Sequence, residues 1–313
     1  MPGRTNMELP MTQREHVVGT RESATGAIYD LGYQGYDGPR LGRGAAVATL
    51  FWSSLRAAYG LKRSGRAKIV PWGLAALLMI PAGISVAIAA LAPQAPSPYS
   101  YDDFLWGTQV LLDIFVAAQA PELVSSDQRN RVLSLYFSHA LERSDYALAK
   151  LGALAAALLG LALAPMLLMF FGRVLLAADV VKALGDEAGH LPEVVLTPLI
   201  YAIPLAALSL AIAAYTPRRA YATGAIIAVF VVGTAVAGVM GNLPPDSALR
   251  NAAQLLNPLV TLDGTRNWLV GNAIPDSPVS GMGYPLFVFG LLWLAITVVC
   301  SAVIWWRYRR VQA

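Results

Sequence analysis

Titratable and nucleophilic side chains are sparse in this chain, and their positions limit the chemistry open to it. The three histidines are His16, His139 and His190, and the single cysteine is Cys300. No histidine falls inside a long apolar stretch, so a serine there has no base beside it, and Gly83-Ile84-Ser85 carries no protease chemistry. There is no His-Glu-x-x-His pair, no cysteine cluster and no Gly-Lys-Ser/Thr phosphate loop, and Asp263-Gly264-Thr265-Arg266 completes no phosphotransferase motif. The expectation is a chain without catalytic residues, metal ligands or an ATPase site of its own. The exception is Asp113, the one ionisable group within an apolar span. Intramembrane carboxylates are costly and face a bundle interior or an aqueous cavity. Gln109 and Ala117 share its helical face at four-residue spacing. Gln109 and Asp113 therefore read as the lining of a translocation path. The competing reading is a structural hydrogen bond between helices.

The elements that must position Asp113 follow from composition. Of 313 residues, 56% are hydrophobic and 13% charged, with mean hydropathy +0.54. An ordinary soluble chain carries about 25% charged residues, so a soluble enzyme, a disordered chain and a disulfide-stapled secreted domain are excluded. Cys300 sits in an apolar run and has no second cysteine to pair with. A helix needs about 20 apolar residues to cross the hydrocarbon core. The runs 70–91, 151–171, 194–214, 220–240 and 284–306 meet that requirement, and 104–120, shorter and interrupted by Asp113, is taken as a sixth. Trp72, Trp106, Tyr284, Trp305 and Trp306 mark span ends as interfacial anchors do.

Charge sets the orientation. With six spans, sixteen Lys and Arg fall in the segments on one side, against Arg173, Lys182, Arg250 and Arg266 on the other. Positive loops stay in the cytoplasm, so both termini are expected inside. Neither the charge balance nor its placement suggests a nucleic-acid partner. The first 20 residues have no apolar core, so no cleavable signal is expected.

Residues 1–43 read as a polar cytoplasmic tail. Within it, Ile28-Tyr29-Asp30-Leu31-Gly32-Tyr33-Gln34-Gly35-Tyr36-Asp37-Gly38-Pro39-Arg40 is either a docking motif or a tail folded onto its own inner face. Residues 44–69 read as an amphipathic interface helix, with Val47, Leu50, Phe51, Leu55 and Ala58 on one side and Trp52, Arg56, Tyr59 and Arg63 on the other. In the inner loop 121–150, Ser125 and Gln128 stand at capping-box spacing and predict a helix start, with Val132, Leu133, Tyr136 and Phe137 as its apolar stripe. Ser144 and Asp145 cap a further helix leading into the third span. The outer segment 241–283 is too long for a simple connection. Asp246-Ser247 caps one short helix there, Asn257-Pro258 breaks it, and a second piece follows over 261–270. In the fifth span Gly224/Ala228, Gly233/Ala237, Thr234/Gly238 and Ala237/Gly241 are small pairs four apart, spacing that lets helices approach closely. Gly224, Gly233 and Gly238 are the packing positions expected from it.

Six spans with both termini inside, a helix before span one and a long outer segment before span six make this chain resemble the permease subunit of an ABC-2-type ATP-binding cassette exporter. The resemblance covers roughly residues 28–310. Its most specific stretch is 120–150, an acid-led inner segment followed by Tyr146-x-x-x-Lys150 ahead of span three. Where the family carries Gly-Thr after the acid, this chain has Asp127-Gln128-Arg129. Leu255-Leu256-Asn257-Pro258 and Trp268-Leu269-Val270-Gly271 are similar to the family's outer segment. The resemblance implies an all-α polytopic membrane protein of six transmembrane helices, 70–306, between the tail and a short cytoplasmic end at 307–313. It also implies a bacterial cell-membrane location, a second permease subunit (identical or different), and separate ATPase subunits that hold the ATP-Mg. The region 122–143 then transmits ATP-driven motion, with Glu122, Arg129, Arg131, Leu133 and Tyr136 as the contact. The competing function is a proton-coupled carrier or a membrane-embedded enzyme using Asp113. Lipid, drug-like molecule, peptide and glycan all stand as cargo.

Overall fold

Long uncharged runs become long helices because a backbone in hydrocarbon must satisfy its own polar groups. The computed structural model describes residue 38 and residues 42–310, except 62–63, 93–94, 131, 134–135, 137–140, 245–246, 272–273 and 275–276. The tail, the tyrosine motif apart from Gly38, and Arg63, Arg131, Phe137, His139 and Asp246 therefore lie outside the described residues. Residues 41–313 form one compact unit.

The helices are α1 (Arg43–Ala58), α2 (Gly65–Leu91), α3 (Phe104–Arg129), α4 (Arg143–Leu175), α5 (Val180–Ala188), α6 (Leu191–Ala214), α7 (Arg219–Met240), α8 (Ala248–Leu255), α9 (Pro258–Val270) and α10 (Phe287–Arg309), with a 3₁₀ turn at Pro278–Gly281. No strand occurs among the described residues. By length and composition, α2, α4, α6, α7 and α10 can each cross a membrane. The protein is an all-helical, multi-pass membrane protein. α3 is 26 residues long but carries Asp113, Glu122 and Asp127, and is not among those five.

α4 is the central post, packed against α1, α2, α3, α6 and α10. α1 lays its apolar stripe along α4. Arg43 pairs with Glu142 and Asp145, Phe51 lies over Gly152, and the Tyr59 hydroxyl donates to the Ala157 carbonyl at 2.7 Å. Trp52 and Arg56 point outward, as the amphipathic pattern predicts, whereas Tyr59, expected on the same side, turns inward against α4 and Phe115. The stretch 44–69 is not one helix, however. It breaks after Ala58, and Gly60 turns back against the Ala67 carbonyl at φ +67, where a side chain would collide. Residues 65–69 belong to α2.

The expected helix start at Ser125 is also corrected. α3 runs unbroken through Pro121 to Arg129. The two capping-box side chains serve another helix: Ser125 donates to the Ala213 carbonyl at 3.3 Å, and the Gln128 amide to the Ala214 carbonyl at 2.8 Å. Both satisfy open carbonyls at the C-terminus of α6, a demand as pressing as that of a helix N-terminus. The start of α4 follows expectation more closely, with Glu142 and Asp145 forming the capping box.

In the long segment between α7 and α10, α8 is capped by Ser247 and α9 by Asn257, with Pro258 in the first helical turn. Gly271, at φ +96, ends α9 in the left-handed conformation. A Cβ on Gly264 would meet the Phe289 ring and one on Gly290 the Trp268 ring, so α9 seats on α10 through these two glycines.

Candidate functional site

α3 and α7 pack side by side, and between them runs a groove of about 390 Å³. Its walls are apolar (Val110, Ile114, Ile227, Phe230 and Val231), and Gln109 and Asp113 project into it from adjacent turns of α3. Gln109 Oε1 and Asp113 Oδ1 are buried and accept no hydrogen bond. An acceptor in apolar surroundings loses its water without compensation, so these two atoms are set to receive a donor from something in the groove. The structure thus brings together the two path residues predicted from spacing. Tyr201 of α6, wholly buried with its hydroxyl unpartnered, lies within electrostatic reach of Asp113, Asp263 and Arg266.

A second cavity adjoins the groove on the side of α8 and α9. Gln109 and Thr234 line both, and the second, of about 440 Å³, is bounded by Trp106, α8, the start of α9 and the 3₁₀ turn. An apolar cavity of about 590 Å³ between α6, α9 and α10 has Leu196, Ile203, Trp268 and Leu291 on its walls and no charged side chain, so nothing in it fixes a ligand's orientation.

Beside the second cavity sits an ion cluster that sequence reasoning does not find. Arg266 has no solvent exposure and pairs with Asp102 at 3.0 Å and with Asp263 at 3.2 Å. The Ser277 hydroxyl donates to the other oxygen of Asp263. Burial pushes the Asp263 carboxyl above its ordinary range, and Ser277 and Arg266 pull it back in part. The only local signal is an acid and a base three apart on a helix, Asp263 and Arg266, inside a stretch that completes no enzyme motif. Nearby, burial raises the Tyr101 phenol, which donates to Glu187 at 2.7 Å. No family model and no curated protein matches the chain. Its function rests on this geometry alone.

At the opposite end of the helices the residues expected to form a coupling face do not share one. Glu122 is turned toward α7 and pairs with Arg219 at 2.7 Å. Leu133 is buried in the chain's own core, and Tyr136, half-buried, packs its ring against Tyr146 at 5.7 Å. Arg129 is exposed at the end of α3. The Tyr146-x-x-x-Lys150 pair finds a common partner: Asp127 accepts from the Tyr146 hydroxyl at 2.9 Å and pairs with Lys150 at 2.9 Å. Gln128 adds Tyr308 of α10 at 2.9 Å, so the ends of α3, α4, α6 and α10 meet in one polar knot.

The small residues of α7 divide. Gly233 faces the Asn257–Pro258 joint of the outer segment within the same chain, whereas a Cβ placed on Gly224 or Gly238 would have nothing within 4 Å. Among the described residues no cluster of three His, Cys, Asp or Glu could hold a metal ion.

Proposed function

We propose that the chain is the membrane-spanning permease subunit of an ABC-2-type exporter in the bacterial cell membrane, with the α3–α7 groove as its cargo path. The single observation that carries this reading is the groove with its two unpartnered acceptors, Gln109 and Asp113, walled by unbroken helices. Carriers of the inverted-repeat type bind at interrupted helices near the bilayer midplane; α2, α3, α4, α6, α7 and α10 run through without interruption.

Six crossings fit the packing. α3 starts near the outer ends of α5 and α6, where Tyr101 meets Glu187 and His190, and finishes beside Ala213 at the far end of α6. A helix that keeps α6 company from end to end crosses the same slab. Six crossings put both termini on the side rich in Lys and Arg. The missing phosphate loop assigns ATP hydrolysis to a separate subunit, and the open face at Gly224 suits a second permease subunit. Arg129, exposed beside the polar knot, is the coupling residue best placed to meet an ATPase.

The test is affinity purification of the full chain from its native membrane. A stoichiometric partner carrying a Gly-x-x-x-x-Gly-Lys-Ser/Thr loop should co-purify, and the complex, not the chain alone, should hydrolyse ATP. Transport driven by a proton gradient in vesicles holding only this chain would instead establish the carrier. In the complex, Asp113→Asn should lower transport at least about tenfold, the worth of one charge-assisted hydrogen bond, with folded yield unchanged. Loss of folded protein would make Asp113 a structural residue.

A further inference from the structure

Arg250, on α8, lines the outer cavity, and it is the only charged residue among the described residues that do so. Its Nε and Nη1 atoms are buried and donate to nothing, and Gly281 lies against the guanidinium, leaving no side chain to cover it. The fully buried arginine of the same segment, Arg266, is matched by two carboxylates. Arg250 is half-buried; its two enclosed donors without an acceptor are costly, and the planar fork of the guanidinium fits carboxylate or phosphate in a bidentate manner.

Below Arg250 the character of the walls changes in order. First come neutral polar groups, Gln254, Asn257 and Gln109, then Asp113, and then Ile114, Ile227 and Phe230 in the groove between α3 and α7. The two cavities adjoin at Gln109 and Thr234, so an elongated molecule with its head in one reaches the other where these two side chains part. Their volumes, about 440 and 390 Å³, lie in the range of small-molecule sites. The apolar walls of the deeper part offer an anion no partner, which holds the charged end at Arg250. The resulting posture, charge outward and chain inward, is that of an amphiphile in the outer leaflet.

We infer that the cargo is an anionic amphiphile whose carboxylate or phosphate is received by Arg250 while its apolar chain lies in the α3–α7 groove. The inference rests on the reading of that groove as the cargo path, and it narrows the cargo from four classes to one. Arg250 supplies the specificity, and the apolar walls accept chains of varied structure, because dispersion contacts discriminate little between hydrocarbons.

The experiment is tryptophan quenching in the purified full-length chain, in uncharged detergent, with dibromostearate as the probe and dibromostearyl alcohol as its neutral counterpart. Trp106 lines the outer cavity and reports on it. The acid should quench saturably, and Trp106→Phe should remove that component. Arg250→Gln should weaken the acid at least about tenfold, Arg250→Lys should restore part of the affinity, and the alcohol should be insensitive to both. Equal affinity of acid and alcohol, or an acid isotherm unchanged in Arg250→Gln, overturns the inference. Displacement of the acid by equimolar dioleoylglycerol, which carries no charge, also overturns it, since the site then selects acyl chains and not an anion. Binding requires no ATPase subunit, so these outcomes are independent of the co-purification experiment: an unchanged isotherm removes the anionic cargo and leaves the permease, whereas a missing ATPase partner removes the permease alone.

Discussion

Replacing Arg266 with methionine should destabilise the protein by about 3–5 kcal/mol, the cost of removing one member of a buried ion cluster. Arg266 is fully enclosed and bridges Asp102, ahead of α3, to Asp263 in the middle of α9. Its loss leaves Asp263, 1% exposed, facing only the Ser277 hydroxyl. The measurement is the melting temperature and the monodisperse fraction in detergent. Adding Asp263→Leu should recover part of the loss, because an uncharged pair no longer needs a counter-ion. The pH response follows from the carboxyl's elevated affinity for its proton. The folded chain holds that proton to higher pH than the unfolded chain does, so stability falls as pH rises through and above the usual carboxylate range. Without Arg266 the elevation increases, and the fall should become steeper in Arg266→Met than in the parent protein. A melting temperature unchanged by Arg266→Met would show that the outer segment is held by its apolar contacts alone.

The second large effect is expected at the other end of the bundle. Lys150→Met should cost about 3 kcal/mol or more, since the pair it makes with Asp127 is shielded, with side-chain exposures of 7% and 14%. Tyr146 still donates to Asp127 but carries no positive charge. Asp127→Asn added to Lys150→Met should return most of the stability, because a neutral amide keeps the tyrosine bond without a counter-ion. In the transporter proposed above the same double variant separates two roles. If the knot only fastens α3, α4, α6 and α10, ATP hydrolysis and transport stay linked. If nucleotide-driven motion passes through it, hydrolysis continues while transport drops. Coupling of this kind needs an element that is differently bonded in two states, and the Asp127–Lys150 pair is the ion pair that joins α3 to α4 in the knot.

How far the sequence reached depended on whether a signal was local. Spans 70–91, 151–171, 194–214 and 220–240 were legible because hydropathy averages over a single helix, and the caps at Ser247 and Asp145 because capping acts over three residues; Asn257, read as a break, caps the helix that follows. Gln109 and Asp113 were found for the same reason, four residues apart on one face. Ser125 and Gln128 misled because the carbonyls they cap belong to Ala213 and Ala214, more than 80 positions away. Arg250 and Arg266 look alike in the sequence. Only the fold shows that one has carboxylates and the other has none, which is a property of Asp102, 164 residues from Arg266. Leu133 belonged to an apolar stripe in sequence, and nothing local reveals that the stripe turns into the chain's own core.

The composition of α3 bears on how the protein is made. With Asp113 near its middle, a penalty of about 2.5–3.5 kcal/mol on insertion scales, this segment is a poor candidate for leaving the ribosome and partitioning alone into lipid. The surfaces that welcome it are on α4 and α6, and the carbonyls of Ala213 and Ala214 that receive Ser125 and Gln128 are synthesised more than 80 residues later. On the six-crossing reading, α3 waits for its neighbours. Biogenesis then has a built-in delay, during which a partly inserted chain depends on the translocation machinery to shelter the helix that carries Asp113.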